Sequence, residues 1–210
     1  MFSAEQAVEW IDRTAAVVEE NGVMLTKLDS AIGDGDHGTN MVRGFRAVLE
    51  RVGALEDKDF AGLFRAVGMA LIGKVGGAAG PLYGSLYLGV GKRLGATGEA
   101  EDDQLAAALR AGYEAVVARG KAQPGDKTML DAWYPALDAL DRAVADGAPL
   151  GAALDGAAAA AEEGMKATIP LVARKGRASY LGERSRDHQD PGATSTFLIV
   201  KALADAVNGR

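Results

Sequence analysis

The chain has 210 residues, 48% of them hydrophobic and 25% charged, with a formal net charge of −6 and no cysteine. This composition excludes a disordered chain, and it excludes disulfides, thiolate metal sites and cysteine nucleophiles. It also argues against a general nucleic-acid binder, which needs a basic face to displace counterions from phosphates.

Taken in chain order, the first segment, Met1 to Arg13, carries Glu5, Glu9 and Asp12 and no apolar core of a signal sequence, so a cytoplasmic location is expected. Val8, Ile11, Ala15 and Val18 recur at helical spacing, and Ser3 is a plausible start for that helix. The same period returns in Phe60, Leu63, Phe64, Val67 and Leu71, and again in Leu130, Trp133, Leu137, Leu140 and Val144. Eight helices are predicted, near residues 3–20, 39–52, 58–75, 79–95, 101–120, 127–146, 150–172 and 193–207. Asp146-Gly147 closes the sixth, and Pro149 stands where the seventh begins. Val75–Gly91 is the least charged stretch, but it is short for a membrane span and interrupted by glycines and Pro81. No composition shift or repeat divides the chain, so residues 1–210 are expected to form one all-α domain.

Two connections stand apart. The first is acidic: Asp29, Asp34 and Asp36 crowd into a glycine-rich stretch that ends in His37-Gly38. Carboxylates held close together repel one another unless a cation neutralises them. Glycine lets the backbone turn so that neighbouring side chains converge. Ligation by carboxylates alone points to a hard cation, magnesium before calcium. A solvated acidic turn is the alternative, and the spacing leaves both open. Gly33-x-Gly35-x-x-Gly38 fits the dinucleotide fingerprint in letters only, since no strand precedes it and its variable positions hold acids. An EF-hand fails as well, because Phe45 and Thr39 stand where an acid and a glycine are needed.

The helix opening near Thr39-Asn40 offers free N–H groups beside these acids. Gly68-x-x-x-x-Gly73-Lys74 mimics a phosphate loop but lies inside an amphipathic helix. Gly76-Gly77-Ala78-Ala79-Gly80 could expose backbone N–H groups to a ligand or could be a tight helix–helix turn. Asp126 reads as the cap of the sixth helix. Trp133 and Tyr134 read as core residues, and Arg43 and Arg46 as a solvated face.

The second unusual connection, Arg174–Pro191, is long, polar and rich in arginine and lysine. In an acidic protein such a loop suits an anionic partner such as phosphate, and a solvated mobile loop is the alternative.

Together these segments resemble the L subunit of dihydroxyacetone kinases. The resemblance is carried by Gly33–Gly38, Val75–Gly84, Arg119–Thr128 and Ala173–Thr194, above all by Ala173–Ser185 and His188–Thr194, and it covers nearly the whole chain. It implies a closed ring of eight antiparallel helices with a nucleotide lid. It implies that Asp29, Asp34 and Asp36 hold two magnesium ions gripping ADP or ATP. His37, Gly38, Thr39 and Asn40 fall where the family contacts nucleotide after the metal loop, and Ala78 and Ala79 fall at its phosphate turn. Gly120, Met129, Arg177, Asp190, Pro191 and Gly192 fall at base-side and lid positions. Ala79 departs from an expected serine, removing one hydroxyl contact to phosphate.

By the same resemblance, dihydroxyacetone sits on a separate K subunit, and an M subunit rephosphorylates the bound ADP in a phosphoenolpyruvate-dependent phosphotransferase system. Neither nucleic acid nor membrane insertion is implied, and a homodimer is left open. An L-type subunit serving another ketose or a sugar acid, or a regulatory or lipid-binding relative, remains the alternative.

Overall fold

The computed structural model describes residues 1–56 and 59–210. Among the described residues eight α-helices follow one another: α1 (Ala4–Ile32), α2 (His37–Gly53), α3 (Phe60–Lys74), α4 (Ala79–Leu94), α5 (Asp102–Gly120), α6 (Leu130–Ala145), α7 (Leu150–Ala167) and α8 (Pro191–Asn208). Each packs against its neighbour in sequence, and α8 packs back onto α1. The circuit of contacts therefore closes, and the turns between helices gather at its two ends. A two-residue strand β1 (Phe2–Ser3) pairs antiparallel with β2 (Glu99–Ala100) and ties the N-terminus to the α4–α5 connection.

Helix boundaries follow local chemistry. Ser3 caps α1 in a reciprocal box with Gln6, satisfying two N–H groups that the first turn leaves free. Asp59 caps α3 by accepting from Gly62; position 58, where the periodicity starts this helix, lies outside the described residues. Among the described residues no helix is long and apolar enough to cross a membrane.

The core is aromatic at its centre. Trp10 is fully buried, meets the rings of Phe64 and Tyr87 at 5.7 and 5.4 Å, and donates its indole N–H to the Ile199 carbonyl at 2.9 Å. These contacts fasten α1 to α3, α4 and α8 together. Trp133 is likewise buried, whereas Tyr134 is 46% exposed and is not core.

Several boundaries differ from the periodicity, and α7 ends at Ala167 rather than at 172. α1 continues from residue 20 to Ile32, because Gly22 packs in the crossing with α2: a side chain at Gly38 would collide with the Gly22 carbonyl. Tertiary contact thus overrides the weak helix preference of Asn21 and Gly22. α6 starts at Leu130 with Met129 at its cap position, so Asp126 is not the cap. Asp126 instead accepts from the Gln123 N–H at 2.9 Å within the preceding turn. The polar run after α7 contains a 3-10 helix, Arg177–Ser185, broken at Gly182.

Candidate functional site

The extension of α1 places Asp29 on its last turn, 8% exposed. Its Oδ2 accepts the backbone N–H of Asp36 at 2.9 Å and of His37 at 3.1 Å, so the acidic loop folds back onto its own first carboxylate. Gly33 is required there, since a Cβ would collide with Asp29 Oδ1. Gly35 turns the chain at φ 74°. Asp36 occupies the cap position of α2, yet its side chain makes no capping bond. One oxygen from each of Asp29, Asp34 and Asp36 lies within 4.8 Å of the others. This all-oxygen donor set fits a hard divalent cation and no thiophilic one. Asp34 also pairs with Arg177 at 3.0 Å, so the basic segment already reaches over the acidic loop.

A cleft of about 200 Å³ opens beside these acids. Its walls come from the N-terminal ends of α2, α4, α6 and α8: Asp36 and His37, Ala78 and Ala79, Thr128 and Met129, and Asp190–Gly192. The even-numbered helices begin at this end because each odd-numbered helix before them runs toward it. Positive dipole ends therefore converge on one volume, an arrangement suited to an anion, although first-turn N–H groups of α2, α6 and α8 already donate to Asp29, Thr128 and Asp190. Lys175, Gly176 and Arg177 close the remaining side.

Polar contacts join the walls. Asn40 is buried against the glycine turn, where a Cβ at Gly76 would come within 3.0 Å of its amide, and it accepts from Arg43 at 2.5 Å. His37 Nε2 lies 3.0 Å from Ser195 Oγ. The Tyr83 hydroxyl lies 2.7 Å from the same oxygen and 2.9 Å from Thr196 Oγ1. Burial pushes the His37 imidazole below its ordinary range although Asp29 and Asp36 pull the other way, which favours a neutral ring. Asp190 caps α8 by accepting from the Ala193 N–H at 2.7 Å. Burial pushes its carboxyl up to about 7.

Of the residues singled out in the sequence, Asp29, Asp34, Asp36, His37, Asn40, Ala78, Ala79, Met129, Arg177, Asp190, Pro191 and Gly192 line this cleft. Gly38, Thr39 and Gly120 do not. Helical rotation carries Gly38 and Thr39 to the opposite side of α2, where they line a second cleft with Arg43 and Arg46. Gly120 ends α5 beside Leu82, outside the lining. Tyr83, Ser195 and Lys127 were missed. The first two read as ordinary helix residues, and only the approach of α2, α4 and α8 gives them a shared role.

A family model for the DAK2 domain matches residues 31–205. The chain belongs to the DAK2 domain family. The matched span includes Asp34 and Asp36, and Asp29 stands just before it. This DAK2 domain is 43% identical to the Escherichia coli (strain K12) protein named PEP-dependent dihydroxyacetone kinase, ADP-binding subunit DhaL, over 97% of each chain. It is 40% identical to the Lactococcus lactis subsp. lactis PTS-dependent dihydroxyacetone kinase, ADP-binding subunit DhaL, over 99% of this chain and 100% of that one. Among solved structures, the dihydroxyacetone kinase from C. freundii in complex with AMP-PNP and Mg2+ superposes with a TM-score of 0.71 at 27% identity. The DAK2 domain here spans 93% of its own length in that comparison and 33% of the C. freundii chain.

Proposed function

We propose that this DAK2 domain is the nucleotide-holding subunit of a dihydroxyacetone kinase. In this reading Asp29, Asp34 and Asp36 hold two magnesium ions that anchor ADP or ATP. The γ-phosphoryl group then passes to dihydroxyacetone carried on a separate K subunit. Residues 1–210 act as one cytoplasmic domain. One observation carries the reading: three carboxylates face a glycine turn and four converging helix N-termini across a single cleft. Carboxylates alone would repel a diphosphate, and N-termini alone would hold one without metal. Magnesium, when bound, neutralises the phosphate charge for in-line transfer.

The chain's own residues orient and enclose. The N–H groups at Ala78 and Ala79 face the phosphates, so the missing hydroxyl at Ala79 leaves the backbone donor in place. Asn40 fixes the glycine turn against α2. Met129 and Asp190–Gly192 form the wall for the base, and Arg177 exchanges its contact with Asp34 for the phosphates. His37 positions the acidic loop through Ser195 and does not itself accept phosphate, since its Nε2 is already engaged. The names of the two bacterial relatives support a phosphoenolpyruvate-dependent cycle, in which an M subunit rephosphorylates ADP in place.

The test is to incubate the chain with K and M partners, the general phosphotransferase proteins and phosphoenolpyruvate. ADP that stays bound and turns over through ATP supports the reading. Acid-labile phosphate on His37 or His188, with bound ADP unchanged, would refute it.

A further inference from the structure

Lys127 lines the nucleotide cleft, and a lysine in that place is read first as a phosphate ligand. Its geometry contradicts that role. The residue is 1% exposed, and its ammonium sits in a cage of backbone carbonyls from residues that do not line the cleft. Nζ donates to Thr168 O at 2.9 Å, Ile169 O at 3.3 Å, Leu171 O at 3.0 Å and His188 O at 2.6 Å. An ammonium has three N–H donors, so four carbonyls leave none for a ligand. Among the described residues no carboxylate forms an ion pair with it. The backbone at Lys127 is left-handed, φ 63°, a conformation that residues other than glycine adopt uncommonly.

The cage is built from both ends of one connection. Thr168, Ile169 and Leu171 follow the end of α7, and His188 stands just before the Asp190 cap of α8. Between them lies the basic segment with the 3-10 helix. Other bonds repeat the same tie: the Asp187 N–H to Ile169 O at 2.8 Å, the Asp190 N–H to Thr168 Oγ1 at 3.0 Å, and the Arg174 N–H to Asp126 O at 3.0 Å. The loop that carries Lys127 continues directly into Thr128 and Met129, which line the cleft beside Asp190–Gly192: a Cβ at Gly192 would come within 3.7 Å of Met129.

We infer that Lys127 is a positioning residue that acts as an internal cation: its ammonium clamps both feet of the lid to the start of α6 and so sets the spacing of the base-side wall. A charge enclosed by oppositely oriented dipoles is a rigid joint, because any opening of the cage strands either an ammonium or several carbonyls. Burial also pushes the Lys127 ammonium below its ordinary pKa, in keeping with an enclosed rather than a solvated charge.

This inference rests on the nucleotide reading, and the wild-type chain separates the two. If the wild type fails to bind ADP–magnesium in calorimetry, the nucleotide reading falls first. Given wild-type binding, Lys127→Met keeps the chain length without the charge, and Lys127→Ala leaves a cavity the size of propylammonium. We expect both variants to keep the helical circular dichroism of the wild type and to lose roughly tenfold or more in ADP–magnesium affinity. Hydrogen exchange should rise across residues 168–190. Propylammonium should restore affinity to Lys127→Ala but not to Lys127→Met, and propanol should restore neither. Wild-type affinity in Lys127→Met, or equal rescue by propanol, would overturn the clamp. Should both variants fail to fold, the wild type still decides: its Lys127 ammonium resonance should exchange slowly and shift on adding ADP–magnesium. An unchanged resonance would overturn the coupling.

Discussion

The acidic loop and the base of the lid meet at the same cleft and treat charge in opposite ways. At the loop, Asp29, Asp34 and Asp36 bring three carboxylates within 4.8 Å of one another and meet one arginine, Arg177. At the lid base, a single ammonium is enclosed by four carbonyl oxygens. The first region concentrates negative charge, which in the proposed function magnesium balances. The second carries its own cation and saturates it. Ligand-dependent behaviour therefore belongs to the loop, and fixed geometry belongs to the lid base, although both are built from connections between helices.

The sharpest way to break this contrast is to remove charge from the loop. Asp34→Asn combined with Asp36→Asn should lower ADP affinity on the order of a thousandfold while leaving thermal stability near that of the wild type. EDTA should act on the wild type in the same direction. Calorimetry showing equal ADP affinity with and without EDTA would remove the metal from the site.

The lid base offers the next largest effect, and here the readout is stability against pH. The Asp190 carboxyl is raised by burial from 3.8 to about 7 in the folded chain. The folded state then holds a proton that the unfolded state releases. Its contribution to stability is fully present below about pH 4 and is lost as pH rises through 7. In the ligand-free protein, wild type should lose about 2 to 4 kcal/mol relative to Asp190→Asn across that window. Denaturant titrations at pH 4.5 and 7.5 check this, and parallel curves for the two proteins would disprove it.

Geometry in the loop can be perturbed without touching charge. Gly33→Ala places a Cβ against Asp29 Oδ1 and within 2.9 Å of its Cγ. Asp29 must rotate, and ADP–magnesium affinity should fall about tenfold, with all acids still present. An unchanged affinity would mean that Asp29 is not a ligand.

The smallest effect is expected where the two regions touch. Arg177 is 66% exposed and its pair with Asp34 is open to water, so Arg177→Ala should cost under about 1 kcal/mol of stability. Hydrogen exchange across 174–186 should nevertheless rise without nucleotide, and the slowing on adding ADP–magnesium should weaken by a few-fold. Identical exchange in variant and wild type would separate the lid from the acidic loop.

Much of this was legible in the sequence, for local reasons. A period near 3.6 marks which face of each helix is buried, so eight helices and their order follow from apolar spacing alone. Three acids within a glycine-rich turn are neighbours in the chain and must be neighbours in space. The arginine- and lysine-rich run after α7 stands out by composition, and its Lys175, Gly176 and Arg177 line the cleft. What the tertiary structure alone decided depends on helices far apart in sequence. The crossing at Gly22 and Gly38 prolongs α1 and sets Asp29 on its last turn. Helical rotation turns Gly38 and Thr39 away from the cleft and Asn40 toward it. Tyr83, Ser195 and His37 meet only because α2, α4 and α8 begin at one end of the ring. Lys127, which by sequence opens the sixth helix, becomes a buried cation only when the ends of α7 and α8 present their carbonyls to it. Periodicity and composition are properties of one segment, whereas desolvation and convergence are properties of several, and the second pair assigns the roles.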